Sequence, residues 1–369
     1  MRYFIALLVM LVLIPVSSCS EDPGEREEPK SDEAELINLE LGCDGDSFTT
    51  TISGTVVSVP DSLPYGIEEV TVETLEVSPL ASVNMEVDTL LDVGQGPFDI
   101  TVTAEDGITQ NTYELRLEVK QDFDYEYQLF ENYTSRECST YGTIDLDGFM
   151  IENNLWNADA LATGSYSQCV YAYDKYGVQV SGWEWQFPSD AYGVNAYPEI
   201  IFGWKPWYSR STTQVLPAQI SAISKVKVVY DAEISHDDGD YNLAFDNWIN
   251  SSSSVKPENI EFEFMIWEDC QNMYPFGDYQ EDVTTTNGTY EFYMGEPTWE
   301  PQGCDWTYVA FKRKTNRTSG TVDVDELLDY LVNEGIVSQD SYLASVELGN
   351  EVCNSTGKTI LKEFRVEVE

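Results

Sequence analysis

Ile260-Glu-Phe-Glu-Phe-Met-Ile-Trp267 alternates with the two-residue period of a β-strand. Ile260, Phe262, Phe264 and Ile266 share one face, an ordinary core face, while Glu261, Glu263, Met265 and Trp267 share the other. A second stretch, Ser345-Val-Glu-Leu-Gly-Asn-Glu351, repeats the pattern. It turns Val346 and Leu348 inward and Ser345, Glu347, Gly349 and Glu351 outward. A merely solvated sheet face does not mix carboxylates with Trp and Met. The floor of a cleft that does acid–base work on a ligand with apolar faces does.

Strands surround these two stretches. They include Trp183-Glu-Trp-Gln-Phe187, Lys225-Val-Lys-Val-Val-Tyr230, Tyr290-Glu-Phe-Tyr293, Tyr308-Val-Ala-Phe-Lys312 and 359–368. One helix stands out at 322–334, with Asp323 as its N-cap and Leu327, Leu328 and Leu331 at helical spacing. So much strand with one helix predicts an antiparallel two-sheet jelly roll over 121–369. All 9 Trp follow residue 150. Before it, 35–120 carries short strands at 50–59, 69–73, 98–104 and 113–119, parted by Asp-Gly, Pro and Gly-Gln-Gly turns. That spacing predicts a separate immunoglobulin-like β-sandwich, resembling the cadherin-like modules of bacterial surface lipoproteins. Its scattered aromatics suit a spacer. The expected fold class is therefore all-β: a sandwich followed by a larger curved jelly roll with a concave cleft.

Residues 1–18 have the pattern of a secretion signal: Arg2, an apolar run from Phe4 to Val16, then two serines. Val16-Ser-Ser-Cys19 resembles a lipobox, which implies lipidation of Cys19 and membrane anchoring. Residues 19–34 read as an acidic tether. An acidic stretch directly after the lipidated cysteine resembles the surface-export signal of some Gram-negative lipoproteins. The expected location is the outer membrane, facing out. Six further cysteines in an exported chain predict disulfides, Cys270 pairing with Cys304 among them.

A net charge of −47 excludes nucleic acid as a partner, because that polyanion needs Lys and Arg to neutralise it. It disfavours anionic polysaccharides for the same reason. With 23 Tyr beside the Trp, a neutral sugar polymer is the natural ligand. The single histidine, His236, lies in an acidic loop, which excludes Ser-His-Asp and Cys-His catalysis and a His-rich zinc site. No cofactor or metal is expected, and the chain is expected to act as a monomer.

Seven motifs in order carry a resemblance. They are Asn153-Asn-Leu-Trp156, Gly164-Ser-Tyr-Ser-Gln-Cys169, Trp183-Glu-Trp185, Tyr197-Pro-Glu-Ile-Ile-Phe-Gly-Trp-Lys-Pro-Trp207, Tyr241-Asn-Leu-Ala-Phe-Asp-Asn-Trp248 and the two opening stretches. Together they resemble glycoside hydrolase family 12, whose members are endo-β-1,4-glucanases and xyloglucanases. The match spans about 138–369. It implies Glu263 as nucleophile and Glu351 as general acid/base of a retaining hydrolysis, which needs two carboxyls about 5–5.5 Å apart. It implies support from Asp246, hydrogen-bonded to the nucleophile. Glu347 stands where many members have Gln, and another carboxylate there would raise the acid's pKa. Asn154, Trp156, Trp183, Tyr197, Trp204, Trp207, Met265 and Trp267 are the implied substrate-binding residues, and Cys138–Cys169 the implied disulfide. Asn157 departs from the Gly of many relatives. The alternative is a surface glycan-binding lipoprotein without catalysis, but binding alone needs neither Glu263 nor Glu351.

Overall fold

The structure, a computed structural model, describes residues 28–297 and 306–369. The signal segment, Cys19 and Cys304 lie outside the described residues. By contacts the chain divides into two units, changing over at Leu117 and Glu118, with Cys43–Asp46 and Ser62–Glu69 belonging to the second.

The first unit has two small sheets. One runs in the order Asp46–Thr49, Leu36–Cys43, Glu69–Val77, Leu90–Asp92; the other runs Thr51–Ser53, Val56–Ser58, Gln110–Arg116, Phe98–Thr103, Ser82–Val83. Alternating aliphatics form its core: Leu39 and Leu41, Val70 and Val72, Ile100 and Val102 are fully buried. The strand expected at 50–59 is two strands, because Gly54 at φ 64° turns the chain in its middle.

The second unit is the jelly roll. A six-stranded sheet orders Ser135–Glu137, Ser167–Lys175, Val178–Gln186, Thr356–Val368, Val226–His236 and Ser319–Asp323. Facing it, a larger sheet orders Gly142–Leu146, Phe149–Asn153, Glu199–Gly203, Ser345–Gly349, Tyr241–Asn250, Ile260–Gln271, Thr307–Arg313, Gly288–Gly295 and Asp278–Thr285. In this sheet Thr307–Arg313 runs parallel to Ile260–Gln271. Val228, Trp183 and Trp185 of the first sheet meet Ile151, Ile200, Phe245, Phe264, Ile266, Val346 and Leu348 of the second in one core. The helix Val324–Asn333 adds Leu327, Leu328 and Leu331 to it, with Asp323 at the N-cap position. A short helix at Tyr125–Phe130 was not expected.

With Phe262, Phe264 and Ile266 committed to this core, Glu263, Met265 and Trp267 face the other way. The two opening stretches therefore contribute to the same open face of one sheet.

Candidate active site

The register gathers the carboxyls. Tyr241–Asn250 lies between Ser345–Gly349 and Ile260–Gln271, with Ala244 opposite Gly349 and Trp248 opposite Glu263. Gly349 allows a close approach: a Cβ there would meet the Pro198 carbonyl at 2.5 Å and Glu199 Cβ at 2.9 Å. Beyond Gly349 the chain stays docked. The Asn350 amide donates to Asn242 O (2.7 Å), and Asn350 Oδ1 accepts from Trp183 Nε1 and from the Thr359 hydroxyl, both at 2.7 Å.

Glu351 is thus presented on a fixed backbone. Its amide donates to Asn242 Oδ1 (2.8 Å), and Asn242 Nδ2 donates back to its carboxylate. Burial pushes the Glu351 carboxyl up to about 7, against the opposing pull of Asn242. Glu263 accepts a hydrogen bond from Trp306 Nε1 at 2.9 Å. Asp246 shares the face with both. Burial, and then the charge of Glu263, hold it well above the usual carboxylate range. All three act on one tyrosine: burial raises the Tyr308 phenol far above its ordinary value, and Glu351, Glu263 and Asp246 raise it further. The face therefore holds an acid that keeps its proton to near-neutral pH and a carboxyl held by a neutral donor. Between them they can protonate one atom and attack another.

Of the expected sugar platforms, Trp156 (45% exposed) and Trp207 (52% exposed) present open rings. Trp207 stands edge-on to Trp248 and Trp306, 4.9 and 6.4 Å between centroids. Trp183 does not: it is fully buried between the sheets, where its indole anchors Asn350. Trp267 and Met265 line the floor but are buried, with Met265 Sδ accepting from Trp267 Nε1 and from the Tyr308 hydroxyl. Tyr197 is buried too, its hydroxyl spent on Ala244 O (2.8 Å). Trp204 packs beside Trp248 and donates to Tyr208 O. Asn154 donates to Glu199 (3.0 Å) and keeps a buried, unpartnered carbonyl oxygen.

Sequence reasoning missed Asn242, Trp306, Tyr308 and Lys205 as site residues. Alternation alone would have placed Asn242 on the face of Asp246. Cys138 and Cys169 form a disulfide. Cys270 is a free cysteine among the described residues, and Cys304, its expected partner, lies outside them. Among the described residues no cluster suited to a metal ion occurs, and His236 is exposed at a strand end.

Residues 147–369 match the family described as Glycosyl hydrolase family 12. Endoglucanase S of Pectobacterium parmentieri is 28% identical over 228 residues, covering 60% of this chain and 82% of its own. Xyloglucan-specific endo-beta-1,4-glucanase A of Emericella nidulans is 25% identical over 229 residues, covering 60% and 86%. Among solved structures, the native family 12 xyloglucanase from Bacillus licheniformis superposes with a TM-score of 0.59 at 26% identity, covering 64% of this chain and all of that one.

Proposed function

The chain belongs to glycosyl hydrolase family 12, and from that premise we propose that it is an endo-acting β-1,4-glucan hydrolase that retains anomeric configuration. Glu351, protonated up to about pH 7, gives its proton to the glycosidic oxygen as the bond to C1 breaks. Glu263 attacks C1 and forms the glycosyl-enzyme; the Trp306 indole favours its ionised form by donating to it. Glu351, now ionised, takes a proton from water, which attacks C1 and frees Glu263. Burial, and then the charge of Glu263, raise Asp246 well above the usual carboxylate range, which favours its neutral form beside the nucleophile.

The observation that carries this reading is Glu351: a carboxyl raised to about 7, clasped by Asn242, on the face that bears Glu263. Trp156 and Trp207 offer the apolar faces on which pyranose rings stack. The relatives named as endoglucanase and as xyloglucan-specific enzymes support a neutral β-glucan as substrate. We further propose display on an outer membrane through lipidated Cys19, with the first unit as a spacer; the sequence around Cys19 supports this. Reducing-end release from cellulose, mixed-linkage glucan, xyloglucan and glucomannan tests the activity and ranks the substrates. No release from any of the four would refute it.

A further inference from the structure

Five carboxyl groups stand in a row across five adjacent strands of the open face: Glu152, Glu199, Glu347, Asp246 and Glu263. The pairing sets the row: Glu152 faces Glu199, Ile201 faces Glu347, and Trp248 faces Glu263. Glu152, Glu199 and Glu347 are buried.

At one end of the row lies a cation, Lys205, only 6% exposed. Its ammonium is 2.9 Å from Glu152 Oε2, bonded to Glu199 Oε1 and 3.7 Å from Glu347 Oε2. Three carboxylates around one ammonium would leave two uncompensated charges in a dry interior, which is far costlier than taking up a proton. The unpaired atoms agree. Glu199 Oε2 and Glu347 Oε2 are buried without a hydrogen-bond partner, although the two side chains lie within hydrogen-bonding reach of each other. Two ionised carboxyls can only accept. One proton between them turns the repulsion into a hydrogen bond. Asp246 Oδ1, next along the row, is also buried and unpartnered.

We propose that Lys205 is a positioning residue of the hydrolysis: it pins Glu199 and Glu347, with one proton shared between them, and so limits the negative charge against which Glu263 ionises. This rests on the hydrolase reading above. The remaining titratable groups facing the row are Glu351 and the phenols of Tyr141, Tyr197, Tyr208 and Tyr308. Burial first, and then nearby carboxylates, raise all four phenols, so none ionises near neutral pH. Lys205 is thus the positive charge that offsets the row. Without it Glu199, Glu347 and Asp246 lose the cation that draws their carboxyls down, and Glu263 ionises against a more negative row.

The test has two arms. In the first, kcat/KM is followed against pH for the wild type, Lys205→Met and Lys205→Met/Glu199→Gln. Lys205→Met should move the acid limb up by about one pH unit, the size expected of one charge acting across a few strands. The double variant should bring it back, because a neutral amide beside Glu347 needs no cation. An unmoved acid limb in Lys205→Met, whatever the loss in rate, overturns the proposal. The second arm needs no turnover. Carboxyl-labelled glutamate NMR of the wild type, with Glu199→Gln used only for assignment, should find the Glu199–Glu347 pair still holding a proton at pH 7. Both carboxyls fully ionised at that pH would also overturn it. If the wild type cleaves no β-glucan, the hydrolase reading fails, and the NMR arm still decides the shared proton.

Discussion

Two buried carboxyls of the larger sheet, Glu268 and Glu199, are partnered in opposite ways. Glu268 is the extra residue where Leu243 faces Asp269 and Ala244 faces Trp267, and it lies on the core side with Phe264 and Ile266. There it accepts from the Tyr230 hydroxyl at 2.7 Å, the Tyr290 hydroxyl at 2.9 Å and Arg317 Nε, with Arg313 at 3.8 Å. Neither oxygen is left over, and two guanidiniums compensate one charge. Glu199, on the open face, shares one ammonium with two other carboxyls and keeps an oxygen without a partner. A satisfied network has one state and holds the sheets together. An unsatisfied one has protons to move, and it lies beside Asp246 and Glu263.

The comparison breaks first at Glu263. Glu263→Ala should lower kcat by roughly 10⁴-fold or more while leaving the thermal unfolding midpoint near that of the wild type. A small kinetic loss would remove the open face from the chemistry. Glu351→Ala should be severe on polysaccharide and milder on an activated aryl cellobioside, which needs little protonation. Added azide should then restore turnover and yield a β-glycosyl azide.

On the core side the expected effect is stability. Arg317→Met leaves Glu268 short of its main cation and should cost about 3 kcal/mol in denaturant unfolding, with kcat per folded molecule unchanged. A shifted pH–rate profile in that variant would erase the distinction between the two networks.

Glu351 also predicts a basic limb. Because its carboxyl is raised to about 7, the protonated acid persists below that pH, and kcat/KM should fall as pH rises through it. The sign for stability is the same. The folded state binds this proton more tightly than the unfolded chain, so the contribution is complete below about pH 4.5 and lost as pH rises through about 7. The smallest effect contrasts two tryptophans. Trp156→Ala should raise KM about tenfold, the worth of one aromatic stacking partner, and spare the fold. Trp183→Ala should instead cost about 3–5 kcal/mol of stability, as deletion of a buried Trp does.

Much of this was legible in the sequence because period-2 alternation commits alternate residues to opposite faces. Once Phe264 and Ile266 are core, Glu263 cannot be. The Asp323-capped helix was legible for a similar reason, since its leucines fall at helical spacing. What escaped depends on contacts between distant segments. Trp183 sits in a motif, yet only the packing of two sheets shows its ring enclosed. Lys205 lies in the quoted Lys-Pro-Trp, but its meaning comes from Glu152 and Glu347, 53 and 142 positions away along the chain, which the strand order brings to it. Asn242 looked like a neighbour of Asp246, and its clasp on Glu351 needs the chain beyond Gly349 to fold back against it.

The central claim is that Glu263 attacks C1 directly while Glu351 handles the proton, and stereochemistry reads that claim most directly. Wild-type enzyme acting on a soluble cello-oligosaccharide, followed by proton NMR from the first turnovers and before mutarotation, should release the β-anomer first. An α-anomer released first would mean inversion by a water held between more widely spaced carboxyls, and it would contradict the assignment of Glu263 as nucleophile.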